Sequence, residues 1–165
     1  MSNFNPLLSL FHETFPKFDD GRINYSFARI CCCISCFVVC NDKVLLIQRS
    51  DKVGDFHFHW GPVTGYLDSF DDPVSKALEE LQEEIGLSSD IISDISSVDP
   101  VILNNDSFTK KWVIYPVVVS VDNIPKISLN WESTDHRWVS LDDVSEFNLL
   151  PGTFDVLRAL NLRNN

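Results

Sequence analysis

Lys76 to Leu87 reads KALEELQEEIGL and sets four glutamates, Glu79, Glu80, Glu83 and Glu84, almost side by side. At about 100° per residue, Val74, Ala77, Leu78, Leu81 and Ile85 share one arc of a helix. Glu79, Glu80 and Glu83 fall roughly opposite, with Glu84 at the border. Pro73 suits a first helical turn, Asp71 or Asp72 can cap it, and Gly86 stands where a helix ends, so the pattern predicts a helix over Pro73 to Ile85. Like charges at i,i+3 and i,i+4 repel by about 0.2–0.5 kcal/mol per pair in an isolated helix, and Lys76 is the one lysine in reach of Glu79 or Glu80. Such a cluster is either a solvated face or a set of oxygen ligands for a hard cation such as Mg²⁺ or Mn²⁺.

The residues upstream decide between these. From Gly65 the chain reads GYLDSFDDPVSKALEELQEEIGL, which resembles the Nudix box, G-x5-E-x7-R-E-U-x-E-E-x-G-U, where U is a bulky aliphatic residue. Gly65, Glu80, Leu81, Glu83, Glu84, Gly86 and Leu87 match at the required spacings. Asp71 stands where the first Glu is expected, and Glu79 occupies the place of the arginine. A spaced pattern of this length is far more specific than a lone glycine motif. The resemblance runs from about Arg29 to Leu160. VLLIQRS looks like the strand that ends in an arginine, WGPVTG like the approach to the box, and NWESTDHRWVSLDDV like the late strand and short helix.

The resemblance implies an α/β/α sandwich with a mixed sheet, and a metal-dependent hydrolase that cleaves a diphosphate linkage in a nucleoside-diphosphate-type substrate. It implies Glu80, Glu83 and Glu84 as ligands of Mg²⁺ or Mn²⁺, with a backbone carbonyl at Thr64 or Gly65 as a possible addition. Glu132, in the loop before Trp138, is the first candidate for general base and Glu80 the second. Glu80, Glu83 and Glu132 thus form the catalytic set. Arg49 is the candidate for gripping a phosphate, since a guanidinium binds it at two points. Its other reading is a strand-end surface arginine. Gly65 and Tyr66 complete the expected substrate contacts. Phe56, Phe58, Trp60 and Tyr66 suit either base stacking or the core, and His57, His59 and His136 suit either a substrate loop or solvent.

Glu79 is the departure from the pattern. In the family the arginine pairs with the glutamates of the box; here either Lys76 replaces it or the site has drifted toward weak activity. A catalytically weak or inactive nucleotide- or protein-binding module on the same fold is therefore the alternative. An isomerase of the isopentenyl diphosphate type ranks third, because its cysteine context is missing from CCCISC.

Composition agrees with one domain over 1–165, residues 1–24 forming an N-terminal helical extension. The chain is 44% hydrophobic with twelve phenylalanines, ample for a core. A net charge of −11 with no basic run speaks against an extended nucleic-acid groove, and leaves a small nucleotide brought in with its cation. There is no apolar run of membrane-spanning length and no signal-like N-terminus, so the expectation is cytoplasmic. A homodimer is the expected assembly if there is one.

Five cysteines, Cys31, Cys32, Cys33, Cys36 and Cys40, crowd one strand-like run. Alternating faces prevent such a run from closing one tetrahedral site, and it reads as small buried hydrophobes in a reducing compartment. The remaining pattern predicts a helix from Asn5 to Phe15 and strands near Phe27 to Val39, Lys43 to Gln48, Pro62 to Leu67, Val98 to Leu103, Trp112 to Val121, Ile127 to Asn130 and His136 to Val139. A tight turn at Asn41-Asp42, a loop from Ser50 to Trp60, and helices near Leu141 to Glu146 and Pro151 to Leu160 complete it.

Overall fold

The computed structural model describes residues 6–69, 72–104 and 110–162. Helix α1 (Pro6–Thr14) precedes two long strands, β1 (Ile30–Cys40) and β2 (Lys43–Arg49), and then come β3 (Trp60–Gly61) and β4 (Val63–Tyr66). Helix α2 (Pro73–Ile85) follows, with strands β5 (Ile92–Ser97), β6 (Val101–Leu103), β7 (Lys111–Val121) and β8 (Ser133–Ser140), and helix α3 (Thr153–Ala159). Short 3₁₀ turns occupy Ser89–Ile91 and Asp143–Glu146.

The sheet is mixed. β1 runs parallel to β7 from Ile30 opposite Lys111 to Val39 opposite Ser120. Its other edge is shared, β4 pairing with Cys33 to Cys36 and β2 with Val39 and Cys40. β2 also carries β8 and β3, and β7 carries β5 and β6, all antiparallel. Because strand side chains alternate, β1 feeds two cores. Cys32, Ile34, Cys36, Val38 and Cys40 join Ala77, Leu81 and Ile85 of α2 and Leu8 and Phe11 of α1 on one face. Cys33 and Phe37 join Val156 and Leu157 of α3 on the other. This is the expected α/β/α sandwich. All five thiols are free and buried, and burial pushes that of Cys32 up to about 12 and those of Cys33 and Cys36 further. They are therefore packing groups rather than nucleophiles.

Helix α2 has the predicted bounds because each end is closed. Asp72 Oδ1 accepts the Val74 and Ser75 N–H groups at 2.9 and 3.1 Å, Pro73 supplies the first turn, and Gly86 ends the helix at φ 67°. Leu81 and Ile85 are fully buried, each contributing about 1.5–3 kcal/mol by leaving water. Asn41 takes φ 55° in the two-residue turn between β1 and β2, as the sequence suggests.

Three expectations need correction. Ile127 to Asn130 is not a strand: the Ser128 and Asn130 N–H groups donate to Ile85 O and Glu84 O, closing the end of α2 instead of a ladder. Ile92 to Ser97, unassigned in the sequence, is the antiparallel partner of β7. The short helix near Leu141 is a 3₁₀ turn over Asp143–Glu146. Asn5 and Asp71 lie outside the described residues. Beyond α1 the N-terminal segment is not helical: it reverses in a turn closed by an antiparallel bridge between Lys17 and Ile23, so the expected extension over 1–24 carries helix at Pro6–Thr14 among the described residues. No helix among the described residues is long and apolar enough to cross a membrane.

Candidate active site

A cleft of about 690 Å³ opens between α2, the Ser50 to Phe56 loop, β4 and the chain before β8. Glu79, Glu80 and Glu83 from α2 line it, with Glu132, Arg49, Gly65 and Tyr66. Glu84 sits beneath the floor, 4% exposed and within electrostatic reach of Glu132, Glu80 and Arg49. The structure thus brings Glu80, Glu83, Glu132, Arg49, Gly65 and Tyr66 to one cleft with Glu84 beneath it, while Asp71 lies outside the described residues.

Gly65 is there for space. A Cβ on it would stand 2.6 Å from Glu80 Cγ, so any side chain would displace the glutamate. Glu80 is held on its other side by Lys76, whose Nζ lies 2.8 Å from Glu80 Oε1 and 3.1 Å from Glu79 Oε1. Lys76 is itself buried. Burial opposes its charge, but the two carboxylates outweigh this and hold the ammonium above the ordinary lysine value. For Glu80 the balance is reversed. Burial and the neighbouring Glu79 and Glu83 raise its pKa although Lys76 pulls the other way.

Glu84 has no such partner. Burial first, then Glu132 and Glu80, push its carboxyl up to about 9, against the opposing pull of Arg49 and of a hydrogen bond from the Thr64 backbone. Glu132 is fixed from behind: its N–H donates to Asn130 Oδ1 at 2.9 Å, Asn130 Nδ2 donates to Glu132 Oε1 at 3.3 Å, and the Ser50 N–H donates to Glu132 O at 2.7 Å. Arg49 is anchored at the mouth through Nε to Asp55 O at 3.1 Å and Nη2 to Asp55 Oδ1 at 3.6 Å.

A sequence model of the NUDIX domain matches residues 33–160. The chain belongs to the NUDIX family. It is similar to the asymmetrical bis(5'-nucleosyl)-tetraphosphatase of Rattus norvegicus, 28% identical over 63% of this chain and 68% of that protein. Among solved structures it resembles the NUDIX domain of Shewanella oneidensis NrtR, complexed with ADP ribose, with a TM-score of 0.68 at 17% identity, covering 96% of this chain and 92% of that one. It also resembles a C. elegans Ap4A hydrolase, with a TM-score of 0.62 at 16% identity over 79% and 95% of the two chains.

Not every residue of the NUDIX cleft is legible in the sequence. Arg22, from the segment before the family domain, lines the cleft and pairs with Asp20 at 2.8 Å and Asp68 at 3.3 Å. That segment is tied down by Tyr25 Oη donating to Leu67 O at 2.7 Å and the Ile23 N–H donating to Asp68 O at 2.7 Å. No periodicity in the sequence announces such a contact. Tyr66 stacks with Tyr25 and with Trp112, ring centroids 5.5 and 5.9 Å away. Of the other expected groups, Phe56 lines the cleft, while Trp60 packs on Phe147. His57 Nε2 and His59 Nδ1 engage Val53 O and His57 O within their own loop, and His136 lies in β8.

Hard oxygen donors in negative surplus suit Mg²⁺ or Mn²⁺ in charge and chemistry. The observation for this fit is Glu84, a buried carboxylate facing two others with one arginine to offset them. Among the described residues no three acidic, histidine or cysteine side chains already stand as a closed cage.

Proposed function

We propose that this NUDIX protein is a metal-dependent hydrolase that cleaves a diphosphate linkage in a nucleoside-diphosphate-type substrate. The observation that carries the reading is the convergence of Glu80, Glu83 and Glu132 on one cleft that also holds Arg49, with Glu84 buried beneath it within electrostatic reach of Glu132, Glu80 and Arg49. Similarity to a dinucleoside tetraphosphatase supports the substrate class.

Glu80, Glu83 and Glu84 would hold Mg²⁺ or Mn²⁺, which when bound neutralises phosphoryl oxygens and makes a coordinated water more acidic. The chain's own residues supply the rest. Lys76 and Gly65 fix Glu80 in place. Glu132, held by Asn130 and facing Glu84, is the group best placed to take a proton from water. Arg49, a guanidinium on the cleft wall, grips a phosphate and stays put through Asp55. Lys76 bears on the departure at Glu79: a cation one turn earlier on α2 pairs with both Glu80 and Glu79, which supports the reading that it takes over the arginine's part.

A catalytically weak or inactive nucleotide- or protein-binding module is the second reading, favoured by Glu79, which reverses the charge at the arginine position of the family pattern. Hydrolysis of a nucleoside-diphosphate panel with Mg²⁺ and Mn²⁺, products identified by mass, separates the two. Glu83→Gln should keep the fold and cut turnover by about a hundredfold, since the transition state loses a stabilising group. Wild-type protein that binds nucleotides and yields no metal-dependent product would favour the module.

A further inference from the structure

Two large exposed aromatic side chains line the cleft, Tyr66 and Trp131. They differ in what holds them. Tyr66 is already stacked with Tyr25 and Trp112. Trp131 is 59% exposed and has no ring contact among the described residues. Its backbone is nevertheless pinned on both sides. The Asn130 N–H donates to Glu84 O at 2.9 Å, and Glu132 is held by Ser50 and Asn130. The chain therefore keeps an indole in water on a rigid support, one residue from Glu132, where burial would have been favourable.

We infer that Trp131 is the stacking platform for the nucleobase of the substrate. A planar heteroaromatic ring laid on the indole would lie in the same cleft as Arg49 and the glutamates, the groups that would meet its phosphates. Stacking on a single aromatic face tolerates every base, so the site selects a nucleotide over a bare phosphate ester rather than one base over another. The inference deepens the proposed function, on which it rests only in taking the cleft as a nucleotide site.

Its test is binding of adenosine 5'-monophosphate and ribose 5-phosphate, measured by calorimetry with Mn²⁺ present. Neither carries a diphosphate linkage, so neither is consumed, and the pair differs only by the base. Wild-type protein should prefer the nucleotide, and Trp131→Ala should weaken it about tenfold while leaving ribose 5-phosphate unchanged. Trp131→Phe should stay within about threefold of wild type, because a π-face remains. Should the alanine variant fail to fold, Trp131→Leu, which keeps apolar bulk without the π-face, takes its place. Three results would overturn the inference: no wild-type preference for the nucleotide, unchanged nucleotide binding after loss of the indole, or equal weakening of both ligands. A clear base preference without turnover on any diphosphate would leave Trp131 in its role and sink the hydrolase reading alone.

Discussion

The two halves of the acidic cluster on α2 carry similar charge and solve it differently. Toward the N-terminal end, Glu79 and Glu80 share the buried ammonium of Lys76 at 3.1 and 2.8 Å. Toward the C-terminal end, Glu84 is buried against Glu132 and Glu80, with only Arg49 and one backbone hydrogen bond in its favour. The first half is satisfied by the chain itself. The second is satisfied by a proton or by an added cation, so it is the half that should respond to pH and to metal.

The largest effect is expected where the chain supplies its own cation. Lys76→Met would leave Glu80 largely buried beside Gly65 with no counter-charge, and breaking a buried pair from one side costs about 3 kcal/mol. Chemical denaturation of metal-free protein near pH 7 checks this. A loss below about 1 kcal/mol would mean that the pair behaves as a surface ion pair and that the contrast between the two halves is false.

Glu84 gives the next effect, and its sign is unusual for a carboxylate. The folded value, about 9, lies above the ordinary range, so the folded protein holds a proton that the unfolded chain has lost. The stability this contributes is complete below the unfolded value near 4.3 and declines as pH rises toward about 9. Metal-free protein should therefore melt higher at pH 5.5 than at pH 8, each kcal/mol appearing as about 2–4 °C for a domain of this size. Glu84→Gln, neutral at every pH, should flatten that difference. Mg²⁺ or Mn²⁺ at about 100 times its dissociation constant should stabilise wild-type protein by about 2.7 kcal/mol, and the same substitution should remove most of the gain. An equal metal response in the variant would exclude Glu84 as a ligand.

How much of this the sequence reveals depends on where each constraint lies. Helix α2 was legible because its apolar period, its proline, its Asp72 cap and Gly86 all agree within one segment. Ile127 to Asn130 misled because it alternates apolar and polar like a strand, whereas its N–H groups close the end of α2, a tertiary fact. Strand β5, ISDISS, was missed because an edge strand with half-exposed isoleucines shows little hydrophobic signal. In the cleft the box glutamates could be read from spacing. Arg22 could not, since contacts between distant segments, among them the Tyr25 and Ile23 hydrogen bonds and the Arg22–Asp68 ion pair, bring its segment to the site.

The smallest expected effect, at Glu79, is also the one that tests the contrast most closely. The residue reverses the family's charge, and it can be read as drift or as part of a rebuilt site. Its carboxylate lies 3.1 Å from Lys76 Nζ and is about half exposed, its side chain at 47%. On the rebuilt reading Glu79→Arg removes one anchor of the buried lysine and sets a second cation at i,i+3 to it. Exposure limits the stability loss to about 1 kcal/mol, but turnover should fall even though the sequence then looks more like its family. In a Lys76→Met background the same arginine should do the opposite, returning a cation to the glutamates and recovering part of the lost stability. Opposite signs in the two backgrounds would show that positions 76 and 79 share one cationic role. An arginine that raises stability and turnover while Lys76 is still present would mean that Glu79 is drift after all, and that the N-terminal half of the cluster is only partly satisfied by its own lysine.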